Sequence, residues 1–183
     1  MARLPYLDRS DLAPEHQDLL KRNINLHRIL THSPGAARAF STLGSYIRHG
    51  STLDARLREM AILQVGWIAR SPYEWSHHIK IGHDFGVSDA DIQALIDDSA
   101  GKPTGLDDLT RLVLGAAREA TSGPGVSRET FAALQAHLST EHLTDLVVTI
   151  AFYAAVVRVL ATMEIDVEES YMPYLRQFPL PTD

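Results

Sequence analysis

One stretch narrows the choice of fold more than any other: residues 146–161, whose apolar run is interrupted only by Thr149 and Arg158. It is too long for an ordinary strand and shorter than the about 20 residues needed to span a bilayer. Wound as a helix it is apolar almost all round, which demands burial on every side. A small chain can meet that demand at the centre of a helical bundle, or complete the burial at a subunit contact. Val147-Val148 and Val156-Val157 are β-branched but lie inside this stretch, and no convincing strand is found elsewhere. The expected fold class is all-α.

The rest of the chain reads as helices separated by caps and breakers. Residues 14–30 form the first. Ser33-Pro34 supplies a cap and a first-turn proline for a helix to about residue 48. Asp54 heads a segment reaching Ala69 or Arg70, and Ser71-Pro72 repeats the device for a helix ending near Phe85. Gly86 stops that helix and Ser88 caps the next, over residues 89–98. The Gly-Lys-Pro-Thr-Gly loop at 101–105 is the clearest linker. Beyond it come helices near 106–121, 127–138 and 140–163, and the tail after Pro173 is expected to be irregular. The linker divides the chain into two helical parts that show a faint duplication.

At 183 residues the chain suits one compact domain. Lys and Arg number 17 against 23 Asp and Glu, a net charge of −6 that argues against a nucleic-acid-binding surface. There is no cysteine, so disulfides, thiolate nucleophiles and cysteine-ligated zinc are excluded. Pro5 and Asp8 stand where a signal peptide would be apolar, and the expectation is a cytoplasmic protein with no membrane partner.

Chemistry concentrates in two neighbouring helices. Glu59 has Ile62, Leu63 and Gly66 as its i+3, i+4 and i+7 neighbours, so it projects from an apolar face. It is either half of a buried ion pair, with Arg56, Arg58 or another arginine, or an acid whose proton affinity burial raises. Glu74 and His78, four apart, share a helix face, where a carboxylate can orient an imidazole and raise its basicity. Ser71-x-x-Glu74 is also a capping box, which would occupy Glu74 structurally. His77 completes Glu-x-x-His with Glu74, but a di-metal carboxylate site needs a second copy, and the chain has none. Arg158 must be paired if buried, with Glu59 or another protein carboxylate, or with the carboxylate of an acidic substrate. Tyr73 and Trp75 place aromatic surface beside Glu74 or belong to the core.

Residues 57–63 (Leu-Arg-Glu-Met-Ala-Ile-Leu), residues 73–78 (Tyr-Glu-Trp-Ser-His-His) and Gly86-Val87-Ser88 together resemble the carboxymuconolactone decarboxylase and alkylhydroperoxidase-D-like superfamily. The resemblance covers residues 50–98 best, within a single all-helical domain over 1–183 that has an N-terminal extension at 1–49 and C-terminal helices at 106–172. The segment 143–167 is similar to the last helix of longer members. In the peroxidase branch a glutamate precedes Cys-x-x-Cys-x-x-x-His. Here Glu59 and His78 match the glutamate and the histidine, while Ser71 and Glu74 replace the two cysteines, which removes thiol peroxidase chemistry. The decarboxylase branch carries the Tyr-Glu-Trp form. The resemblance implies a helical bundle and a lyase or isomerase without metal or organic cofactor, acting on a small carboxylated lactone or related organic acid. Glu59, Glu74 and His78 would be catalytic, and Tyr73, Trp75, His77 and Arg158 would bind substrate. It also implies a homo-oligomer, a trimer ahead of a dimer or hexamer. A non-catalytic binding module of the same fold is the alternative, with Glu74 spent on its cap and Glu59 on Arg158. A metal-dependent enzyme using Glu74, His77 and His78 is a third reading.

Overall fold

The computed structural model describes residues 2–181, and among them there is no strand. Nine α-helices follow one another: α1 Asn25–Leu30, α2 Pro34–Ser45, α3 Ala55–Ile68, α4 Pro72–Asp84, α5 Asp89–Ser99, α6 Asp108–Ser122, α7 Arg128–Gln135, α8 Thr140–Met163 and α9 Met172–Gln177. Their starts follow the caps in the sequence. The side chains of Asp54, Ser71, Ser88, Asp107, Ser127 and Ser139 each accept a bond from a backbone N–H of the first turn, satisfying a donor that would otherwise have no partner. Ser33 precedes Pro34 as expected but makes no such bond.

Three expectations are corrected. Residues 14–30 are not one helix. A 3-10 segment, Pro14–Leu20, is separated by an irregular turn from α1, and the break lets Leu19, Leu20, Leu26 and Ile29 all reach the interior. The tail forms α9, whose Pro173 sits in the first turn, where a missing N–H costs nothing. Residues 46–50, expected as the end of α2, widen into a π-helical turn (Tyr46–Gly50).

The most deeply buried helix is α3, not α8. Every residue of α3 from Leu57 to Gly66 is buried, including Arg58, Glu59 and Gln64. It packs on α4, α6 and α8, so helices from both sides of the 101–105 linker close around it. One apolar cluster joins α3 to α6 and α8 through residues such as Ile62, Val113 and Leu146. A second lies between α3, α4, α5 and α6 around Met60, Trp75 and Ile92, and Phe178 closes it. Helix α8 is long and apolar enough by length and composition to cross a membrane. Its inward face is buried, but Ala151, Ala155, Arg158 and Thr162 form an exposed stripe, so burial is not all round. Small side chains along that stripe explain why the helix looked uniformly apolar: alanine adds little apolar area to either face.

Candidate active site

The contact of α3 with α4 sets the geometry of the site. At Gly66 a Cβ would lie 3.2 Å from the backbone N of Trp75, so the missing side chain lets the two helices approach closely. The turn between them is short, with Arg70 at φ 47° and Ser71 capping α4. Glu59 of α3 and His78 of α4 thereby meet inside the protein.

His78 donates from Nδ1 to Glu59 Oε2 at 2.7 Å. Its Nε2 stands 3.0 Å from Glu74 Oε1, an ion-pair contact whose angle falls short of a full hydrogen bond. The other Glu59 oxygen, Oε1, accepts from Arg58 Nε and Nη2 at 3.1 and 3.0 Å. All four side chains are buried, and the Arg58 guanidinium also stacks 4.6 Å above the Phe85 ring. Tyr153 of α8 presents its ring edge-on to His78, with centroids 4.9 Å apart. Burial opposes a charge on His78, but the carboxylates of Glu59 and Glu74 outweigh it and raise the ring above its usual value. Burial likewise opposes ionisation of Glu59, yet His78 and the arginines Arg58 and Arg48 hold its carboxyl below the usual range. Glu59 is thus an ionised partner that holds His78: of its two sequence readings, the buried ion pair with Arg58 is the one found, and its proton affinity is lowered rather than raised.

Glu74 is not consumed by its capping position. Ser71 accepts from the Glu74 N–H at 3.4 Å, but the Glu74 side chain does not reach back to complete the box. It turns to His78 and to a cavity of about 580 Å³. Glu74, His78, Tyr73, His77 and Tyr153 line this cavity, and the 3-10 segment, α1 and the α2 end supply its opposite wall. Glu59 does not reach the cavity and acts only through His78.

His77, the next residue, belongs to a different cluster. Its Nε2 donates to Glu168 Oε2 at 2.7 Å, and its ring is sandwiched between Tyr73 (4.1 Å) and Tyr171 (3.5 Å). Tyr73 OH donates to Glu168 Oε1 at 3.0 Å and accepts from the Leu26 N–H at 3.1 Å. Glu168 also takes the Asn25 N–H at 2.6 Å. Burial lowers His77, an effect that its single carboxylate partner only partly offsets. Burial and the Glu168 charge push the Tyr73 hydroxyl well up. The three residues of the metal reading therefore diverge, with His77 on Glu168 and His78 on Glu59. Among the described residues no group of three or more His, Asp or Glu could hold a metal ion.

Two residues expected to bind substrate lie elsewhere. Trp75 is fully buried in the second apolar cluster, where its Nε1 donates to the Phe178 carbonyl at 2.8 Å. Arg158 is on the exposed stripe of α8 and bonds to the Ala154 carbonyl, so it pairs with neither Glu59 nor a cavity ligand. Conversely, Glu168, Arg22, His27 and Arg48 were not singled out from the sequence. Only the run Arg48-His49-Gly50, basic and closed by a helix breaker, hinted at a special turn.

The model of the carboxymuconolactone decarboxylase family matches residues 34–119. No curated protein sequence matches the chain. Among solved structures, the debrominase Bmp8 in complex with 2,3,4-tribromopyrrole is similar with a TM-score of 0.79 at 20% identity, covering 97% of this chain and 99% of that one. A peroxidase-related protein from Ralstonia eutropha with an alkylhydroperoxidase core is similar with a TM-score of 0.78 at 19% identity, covering 95% of each chain. A protein from Agrobacterium tumefaciens gives 0.67 at 21% identity, over 76% of this chain and 95% of its own. At these identities the likeness is one of fold.

Proposed function

Because the model of the carboxymuconolactone decarboxylase family matches residues 34–119 and the fold is similar to that of a protein with an alkylhydroperoxidase core, we propose that the chain is a cofactor-free lyase or isomerase moving a proton on a small carboxylated lactone or related organic acid. The observation that supports this reading is the clasp on His78. One carboxylate fixes its Nδ1, a second faces its Nε2, and the ring and the second carboxylate open on the cavity. The two carboxylates favour the protonated ring, which gives His78 a proton to deliver to a guest. The thiol route is closed to a chain without cysteine.

In a decarboxylation, the bond between the ring carbon and its carboxylate breaks. Its electron pair moves into the conjugated lactone carbonyl, carbon dioxide leaves and a dienolate remains. The His78 proton then passes to the dienolate carbon, directly or through Glu74, and solvent restores it. In an isomerisation, Glu74 would take the proton from one carbon and His78 would supply one to another. Glu59 keeps the ring aligned and stabilises its charged form throughout.

The test is a panel of carboxylated lactones and keto acids followed for carbon dioxide release and for solvent deuterium in the product. Wild type should turn over at least one of them, while His78→Gln and Glu74→Gln, folded as judged by circular dichroism, should be slower by about 100-fold or more. Full turnover by either variant would remove the reading.

A further inference from the structure

The cavity wall facing Glu74 and His78 is charged in the opposite sense to the chain as a whole. Lys21, Arg22, Arg38 and Arg48 line the cavity against only two carboxylates, Asp18 and Glu74, in a protein of net charge −6. Arg38 is taken, paired with Asp18 at 3.0 Å. Neither Arg22 nor Arg48 has a carboxylate partner among the described residues.

Two buried polar atoms on this cavity have no hydrogen-bond partner, Arg48 Nε and His27 Nδ1, while Glu74 Oε1 has only its ion-pair contact with His78. Buried polar groups are ordinarily satisfied, and a guanidinium is the most costly of these to leave open. The cost is visible at the neighbours. Burial, and then the charge of Arg48, hold Arg22 below its usual value, while burial and Arg22 lower His27 to about 4. His27 is therefore neutral, and the wall keeps two like charges close together.

Arg48 is also held in place. It sits in the π-helical turn Tyr46–Gly50, a widened turn of the kind often found at functional sites. The turn is tied to α8 by Asp145, which accepts from Tyr46 OH at 2.9 Å and from Ser51 Oγ at 2.5 Å. A Cβ at Gly50 would come within 2.7 Å of the Tyr46 ring, so any side chain there would have to displace the ring that bonds to Asp145. A turn built this rigidly fixes a side chain before any ligand arrives.

We propose that Arg48, backed by Arg22, grips an anionic group of the ligand, and that this group is a carboxylate that persists in the product. The second half follows from the chemistry proposed above, on which it rests. An arginine clamp on a departing carboxylate would stabilise the ground state and oppose loss of carbon dioxide. Clamping a carboxylate remote from the reacting carbon costs nothing in the transition state and places that carbon against Glu74 and His78. Guanidinium geometry matches a carboxylate through two parallel bonds, and Arg48 has an Nε free for one of them.

The test uses (5-oxotetrahydrofuran-2-yl)acetate, whose carboxylate is carried on a side chain away from the ring carbon, and its uncharged methyl ester, with binding measured by calorimetry on the full chain. Wild type should favour the acid over the ester by about 10- to 100-fold. Arg48→Gln should erase that preference and leave ester binding unchanged, Arg48→Lys should retain part of it, and Arg22→Gln should reduce it by less. His78→Gln should keep the preference intact. No acid preference in wild type, or a full preference in folded Arg48→Gln, would overturn the proposal. If Arg48→Gln does not fold, a full preference in both Arg48→Lys and Arg22→Gln has the same force. If the acid preference behaves as expected but no carboxylated lactone turns over, the anchor stands and the acid–base reading falls. Turnover lost in His78→Gln but unaffected in Arg48→Gln, with no acid preference, would be the reverse.

Discussion

His77 and His78 are adjacent on α4, both are buried, and each holds a glutamate at 2.7 Å, yet their environments push them in opposite directions. His78 faces α3 and has two carboxylates, Glu59 and Glu74, both buried. His77 faces the C-terminal segment and has one, Glu168, which is half-buried and shares its charge with Tyr73 and the Asn25 N–H. The number and burial of facing carboxylates decide the sign, not the residue type or the helix. One cluster thus holds an imidazole of raised proton affinity beside the cavity, and the other ties together α1, α4 and the chain after Ile165.

The largest effects should come from breaking the first cluster. His78→Gln should cost turnover by about 10²- to 10⁴-fold, the range of a lost general acid, whereas His77→Gln should cost far less. Glu59→Gln should lower stability by about 3–5 kcal/mol in urea unfolding, because the buried Arg58 then loses its ionised partner. Glu168→Gln should fall in between, at about 1–3 kcal/mol, since it weakens three hydrogen bonds but leaves no buried charge alone. In that variant loss of stability should exceed loss of turnover, the reverse of His78→Gln.

A smaller effect separates the two rings by pH. His78 is raised in the folded state, so its contribution is complete below the free-ring value of 6.5 and fades as pH climbs through the folded value. His77 is lowered, so its unfolded form binds the extra proton. Its contribution is complete above 6.5 and fades as pH falls toward the folded value. Ring titrations followed by NMR should place His78 above 6.5 and His77 below it, and equal midpoints would erase the contrast drawn here. The smallest change should be Arg158→Ala. On its exposed stripe it should alter stability by less than about 0.5 kcal/mol and leave turnover unchanged.

Much of the helical framework was legible because caps act locally: Asp54, Ser71, Ser88 and Ser127 each mark a helix start that depends on bonds within one turn. Glu74 and His78 were legible as a pair for the same reason, a four-residue spacing on one helix. Arg158 misled because an apolar stretch does not reveal which of its faces is turned outward, and alanines fit either. Trp75 misled because nothing in its neighbourhood announces that the Phe178 carbonyl would take its N–H. Glu168 went unnoticed because its partners lie about 90 residues or more away along the chain. The π-helical turn that positions Arg48 depends on Asp145 of a distant helix.

Taken alone, the amino-acid order determined an all-helical chain, the limits of its principal helices, the loss of sulfur chemistry and an acid–imidazole pair on α4, since each follows from short-range bonding or simple presence and absence. Tertiary packing decided which carboxylate each histidine meets, that α3 rather than α8 lies deepest, and that arginines from the first 50 residues face the imidazole across one cavity. Those outcomes depend on fields and contacts between segments far apart in the chain, which local spacing does not encode.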